Sequence, residues 1–156
     1  MPTLRHILAA PDGAGLYRLA SRAPAAAIAA RARERGWLPL VLDGAAVRGK
    51  ADFLAASAAA LAFPAYFGHN WDALAECLTD LAWLESRPRL LLYDRAEPFL
   101  RADPAAWSVA AAILAEAVDH WRSAPTPLTV LLRGPRRRLG GLADGEVRIQ
   151  KSEIRS

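Results

Sequence analysis

Between Phe63 and Arg87 this 156-residue chain carries four acidic side chains, Asp72, Glu76, Asp80 and Glu85, and no lysine or arginine. Elsewhere it is rich in arginine, so the stretch FPAYFGHNWDALAECLTDLAWL, residues 63–84, stands out by charge. Asp72, Glu76 and Asp80 are four apart, the spacing that stacks side chains on one side of a helix. Carboxylates in such a row can exchange protons with a substrate. They can also present a polyanion to a basic partner. On a helical wheel turning about 100° per residue, Asp72, Glu76, Thr79 and Asp80 share one side, with Trp83 at its margin. Leu74, Cys77, Leu78, Leu81 and Ala82 take the opposite side, which reads as the core face. Like charges four apart disfavour a helix by roughly 0.2–0.5 kcal/mol per pair, and the local sequence supplies no compensating cation. Asp72 in the first turn suits the helix dipole, and exposed helices often carry acids. The neighbouring Tyr66, Phe67 and Trp71 favour an interface, because aromatic side chains beside a charged patch are common at binding hot spots.

Acid–base catalysis needs a site that excludes water, and the stripe lies on what reads as a convex helix surface. His6, His69 and His120 are far apart in sequence and share no metal-ligand spacing. Cys77, the single cysteine, falls on the core side and reads as a buried, inert thiol. The reading is therefore of a binding protein and not an enzyme, with no cofactor, no metal and no small-molecule substrate.

The elements that must hold the stripe follow from patterning. WLPLVLD (37–43), RLLLYD (89–94) and PLTVLLRG (127–134) are continuous apolar runs, as in strands covered on both faces. Between them, Ala51 to Leu61 and Asn70 to about Trp83 read as helices, the second opened by a capping Asn. Asp103-Pro104 supplies a cap and a first-turn proline for a helix running to about Trp121. Ahead of these, LYRL (16–19) is a further candidate strand and Pro24 to Arg35 a helix closed by Gly36. Near the other end VRIQ is a candidate final strand. Strands alternating with helices predict an α/β fold, a small three- or four-stranded parallel sheet packed against helices with right-handed crossovers.

The length fits one domain. No apolar run approaches the roughly 20 residues of a membrane span, and the start MPTLRHIL lacks a signal-peptide pattern. A lone cysteine suits a reducing compartment, so a soluble, cytoplasmic protein is expected. The formal net charge is +4. Residues 1–132 are balanced, with thirteen basic and thirteen acidic side chains, so the excess lies in the tail.

Two other motifs bear on function. GAAVRGKA, residues 44–51, fits a phosphate-binding G-x-x-x-x-G-K loop up to its last position, where Ala51 stands in place of the hydroxyl that Mg²⁺ requires. Nucleotide hydrolysis is set aside on that residue. The Arg cluster of RGPRRRLGG, from Arg133, suits RNA phosphates. The tail contains no Trp or Tyr to stack on bases, so nucleic acid is not the expected partner.

The run P-x-Y-F-G-x-N-x-D-A-L followed by C-L-T resembles the barstar family of intracellular ribonuclease inhibitors. The likeness extends more weakly to V-L-D-G at 41–44 and to the order of the later strands. It covers residues 37–133, leaving 1–36 as an N-terminal extension and 134–156 as a basic C-terminal tail. The resemblance implies a three-stranded parallel sheet packed on helices, with one loop and helix plugging the active site of a small basic ribonuclease or toxin nuclease. It implies that Tyr66, Gly68 and Asn70 shape the contacting loop, beside Trp71, and that Asp72 enters the partner's phosphate-binding site. Glu76 stands where the family has an aspartate and keeps the charge on a longer arm. Thr79 matches a threonine that supports the interface, Ala75 replaces a tryptophan, and Asp80 replaces a glycine. An interaction module of the same fold with a non-nuclease target is the second reading, and RNA binding through the tail the third.

Overall fold

The computed structural model describes residues 3–9, 14–134 and 145–149. Among these residues, five strands form one parallel sheet: β1 (Leu16–Ala20), β2 (Leu38–Asp43), β3 (Arg89–Asp94), β4 (Leu128–Leu132) and β5 (Gly145–Arg148). Their order across the sheet is β2-β3-β4-β1-β5. The fold is the expected α/β architecture with a larger sheet than the predicted three or four strands. Both the early strand and the late one join it, β1 beside β4 and β5 beside β1.

The helices are α1 (Leu4–Ala9), α2 (Ala25–Glu34), α3 (Lys50–Ala60), α4 (Trp71–Asp80), α5 (Glu97–Ala102) and α6 (Pro104–Trp121). Handedness distributes them. The chain steps β2, β3, β4 in one direction through α3 to α6, and it returns from β1 to β2 through α2. Right-handed crossovers in opposite directions must pass over opposite faces. Two cores result. On one face Leu40, Leu42, Leu91, Tyr93, Val130 and Leu132 meet Phe53, Leu74, Leu78, Phe99 and Trp107. On the other, Leu19, Leu90, Leu92 and Leu131 meet Ile7, Ile28 and Trp37. Alternate residues of β3 and β4 serve alternate cores, as strand geometry requires.

β3 and β4 are buried throughout, which matches their continuous apolar sequences. β2 departs from that expectation. It is an edge strand with alternating burial, and Val41 is 39% exposed. Pro39 is tolerated there because an edge strand need not donate every ladder hydrogen bond. Gly36 closes α2 with a φ of +85°, a value glycine adopts without strain. Gly44 ends β2 against β3, where a Cβ would lie 2.4 Å from the Arg95 carbonyl oxygen. The short helices α1 and α5 carry too few residues to show a helical period in sequence.

Candidate functional site

The turn ahead of α4 is built from alternating fates of its aromatic residues. Phe67 is buried and packs on Phe63, with ring centroids 4.9 Å apart, whereas Tyr66 is 73% exposed. Gly68 follows, where a Cβ would crowd the Asn70 amide at 3.2 Å. His69 takes a left-handed φ of +52°, and its Nδ1–H donates to the Phe67 carbonyl at 3.1 Å. Asn70 then caps α4 as expected, its Oδ1 accepting from the Ala73 amide at 2.8 Å.

The apolar face of α4 fixes which way the helix points. Leu74, Cys77 and Leu78 are buried, and Asp72, Glu76 and Asp80 are consequently exposed. The far end is anchored by donors to carbonyls of its last turn, its cap and the segment just beyond, including groups a helix terminus leaves unsatisfied. Trp121 Nε1 donates to the Leu78 carbonyl at 2.7 Å. The buried Arg89 reaches the carbonyls of Leu81 (3.4 Å) and Glu85 (3.3 Å) while lying 5.2 Å over the Trp121 ring. Burial pulls the Arg89 pKa down.

Here the structure corrects the helical wheel. α4 stops at Asp80 because Leu81 turns left-handed, with φ +51°, and inserts its side chain into the core. Ala82 is therefore exposed instead of buried. Trp83 leaves the acidic side altogether, packing edge-on against Phe63 and donating from Nε1 to the Leu61 carbonyl at 2.8 Å. Glu85 is also separate, paired with Arg87 through a 2.8 Å hydrogen bond.

Asp72, Glu76 and Asp80 differ from Glu85 in having no partner among the described residues. Among the described residues, none of the three lies within ion-pair distance of a cation or accepts a side-chain hydrogen bond. Thr79 is half-buried, and its hydroxyl donates to the Ala75 carbonyl at 2.9 Å. With its one proton engaged, it offers only acceptor lone pairs to a visitor.

Glu76 stands on a ridge between two hollows. A hollow of about 110 Å³ is lined by Tyr66, Gly68, Cys77 and Asp80 among others. On the other side a hollow of about 510 Å³ is lined by Lys50, Asn70, Trp71, Asp72 and Glu76. All eight expected contact residues except Thr79 line one hollow or the other. Burial, and then the charges of Asp80 and Glu76, push the Cys77 thiol up, so it stays protonated at neutral pH.

Lys50 is the residue that sequence reasoning missed. It comes from the first turn of α3, exposed, with its Nζ 5.3 Å from the centre of the Trp71 ring. It places one cation beside the acidic stripe without pairing to it. Nothing local to residues 63–84 signals this, because the contact joins two helices.

In the near-miss phosphate loop, the Arg48 amide donates to Asp52 at 3.1 Å, so the chain's own carboxylate already occupies an amide a phosphate would use. Arg133 is held by Asp94, with Nε donating at 2.7 Å and Nη2 at 3.1 Å. The expected cluster Arg136, Arg137 and Arg138 lies outside the described residues. Among the described residues no group of three or more His, Cys, Asp or Glu converges as a ligand set. No helix there is long and apolar enough to cross a membrane.

The family model of barstar, the barnase inhibitor, matches residues 37–133, more than half of the chain and the whole span from β2 to the end of β4. No curated protein matches it. An aromatic turn, a capping asparagine and an outward row of carboxylates, all within that span, thus coincide with a family match: the chain belongs to the barstar family.

Proposed function

We propose that the chain binds and blocks a small basic ribonuclease or toxin nuclease in the cytoplasm, by placing carboxylates of α4 in the enzyme's phosphate-binding site. A ribonuclease must gather Arg, Lys and His around a phosphate, and a fixed row of carboxylates imitates the charge of its substrate. The observation that carries this reading is that Asp72, Glu76 and Asp80 are exposed and, among the described residues, without cationic partners on a helix held from behind. Such groups need give up no internal bond on meeting a guanidinium. Asp72 and Glu76 are the anchors in this reading. Tyr66, Gly68, Asn70 and Trp71 shape the contact, and Thr79 and Asp80 extend it. The contact surface belongs to residues 37–133, with 1–36 and 134–156 as flanking additions.

The net charge of +4 limits long-range attraction toward a basic target, so the local field must suffice. Screening at physiological salt confines that field to about 8 Å. Lys50 sharpens the match required: the partner must set its basic groups against the acids and keep them clear of this ammonium.

Inhibition assays with barnase and a panel of small basic microbial ribonucleases test the reading. The parent chain is expected to inhibit at least one member stoichiometrically. D72A/E76A is expected to lose roughly a hundredfold or more in affinity, about tenfold or more for each charged hydrogen bond removed. Equal inhibition by parent and double variant would refute it. Lys50 and the overall basic charge favour the second reading, a barstar-fold module for a non-nuclease protein. That reading gains if the captured partner has no cationic cleft.

A further inference from the structure

In open parallel sheets, ligands bind beyond the carboxyl ends of the strands, where neighbouring strands send their connections to opposite faces. Here two strands one place apart in the sheet do so. β1 leads into α2 on one face, β3 leads into α5 and α6 on the other, and β4 lies between them. Just beyond these three strand ends is a crevice of about 420 Å³, within the usual range for small-molecule sites. It lies away from the acidic stripe and shares no lining residue with either hollow beside Glu76.

The charges around it do not cancel. Asp94 is taken by Arg133 in a two-pronged pair, and Arg133 Nη1 also donates to the carbonyls of Ser21 and Ala23, which locks the floor. Glu97 is taken by Arg101 one turn along α5. Each acid on the wall thus has its own arginine. Arg22, which follows β1, is exposed and makes no ion pair or side-chain hydrogen bond among the described residues. Arg95, which follows β3, touches Asp43 at 3.5 Å with both side chains about 60% exposed, a pairing worth little in water. Arg95 also holds a left-handed φ of +55°, a strained backbone for a residue with a Cβ. Two guanidinium groups from two strand ends therefore flank a cavity whose own acids are already neutralised, with Pro98 as an apolar wall.

We propose that this crevice binds a small phosphate monoester, with Arg22 and Arg95 gripping the phosphate and the organic part resting against Pro98. Guanidinium forks suit the tetrahedral dianion, whose oxygens can accept paired N–H bonds. The inference does not rest on nuclease inhibition.

The test is ¹H–¹⁵N NMR titration of the full chain at low ionic strength with inorganic phosphate, with adenosine 5′-monophosphate, and with chloride at matched ionic strength. Saturable shifts at the amides of Arg22, Arg95 and Gly134 are expected with both phosphates, tighter with the monoester, and none that saturate with chloride. R22A/R95G should weaken binding at least roughly tenfold. Glycine at position 95 suits the left-handed backbone, so the fold is kept. D72A/E76A should bind the monoester as the parent does. Shifts that follow ionic strength alike for all three salts, or unchanged binding by R22A/R95G, would overturn the assignment.

Discussion

Asp94 at the end of β3 and the carboxylates of α4 are the same chemistry placed under opposite rules. Asp94 is 8% exposed, and both its oxygens accept from Arg133. Its hydrogen bond to Arg133, outweighing the burial that opposes it, holds the carboxyl below its ordinary value of 3.8. Asp72, Glu76 and Asp80 are exposed, with no cation among the described residues paired to them. The first arrangement is structural: it ties β3 and β4 to the segment after β1, and removing one member strands the other. The second stabilises little, since like charges at helical spacing repel. A carboxylate that stabilises the fold is not available to a partner, and one that is available does not stabilise the fold. The placement of charge thus separates the part of the molecule that holds it together from the part proposed to meet another.

The largest test of this contrast is D94N. It leaves Arg133 with an uncompensated charge in a mostly buried site, and it should lower the free energy of urea unfolding by about 3 kcal/mol. A loss below about 1 kcal/mol would place Asp94 with the exposed acids and break the comparison. The pH dependence has a definite sign. A carboxyl whose folded value is depressed contributes stability above its unfolded value, and that contribution is lost as pH falls through the folded value. The parent should therefore lose stability on acidification below about pH 4, with Asp94 among the causes, and D94N should show a shallower acid limb.

The next effect concerns the scaffold beneath the exposed set. N70A removes the side chain that caps α4 and should cost about 1 kcal/mol in the same unfolding experiment. N70D, which keeps an accepting oxygen, should restore most of it. If N70D fails to rescue, the turn and not the cap positions the acids.

The smallest effect carries the opposite sign. E76Q removes a charge from the middle of the stripe, relieving two like-charge pairs, and should raise stability by about 0.5 kcal/mol at low salt, fading as salt screens the repulsion. A loss of stability would mean that Glu76 does structural work, and the division between the two sets would blur.

Much of the acidic site was legible because its causes are local. The period of a helix is set by its own backbone, so Leu74, Cys77 and Leu78 could be assigned inward and Asp72, Glu76 and Asp80 outward from spacing alone. Asn70 was legible as a cap for the same reason. Trp83 and Ala82 were misplaced because they lie past the left-handed Leu81, and only burial of that leucine stabilises so unusual a stop. Continuous apolar sequence identified β3 and β4, whereas β2, equally apolar, is an edge strand. Apolar content reports that a strand forms and says less about how many neighbours it has.

By itself, then, the chain's sequence determined the longer helices and the strands, the register of α4 and the outward row of negative charge, since each follows from contacts within a few residues. Only the tertiary structure decided that Lys50 comes to stand over Trp71, that Asp94 engages Arg133, and that Arg22 and Arg95 flank one crevice. These pairings depend on the strand order β2-β3-β4-β1-β5 and on which face each crossover takes. The packing of the whole sheet selects that order, because contacts across it join segments whose separation along the chain no local rule can bridge.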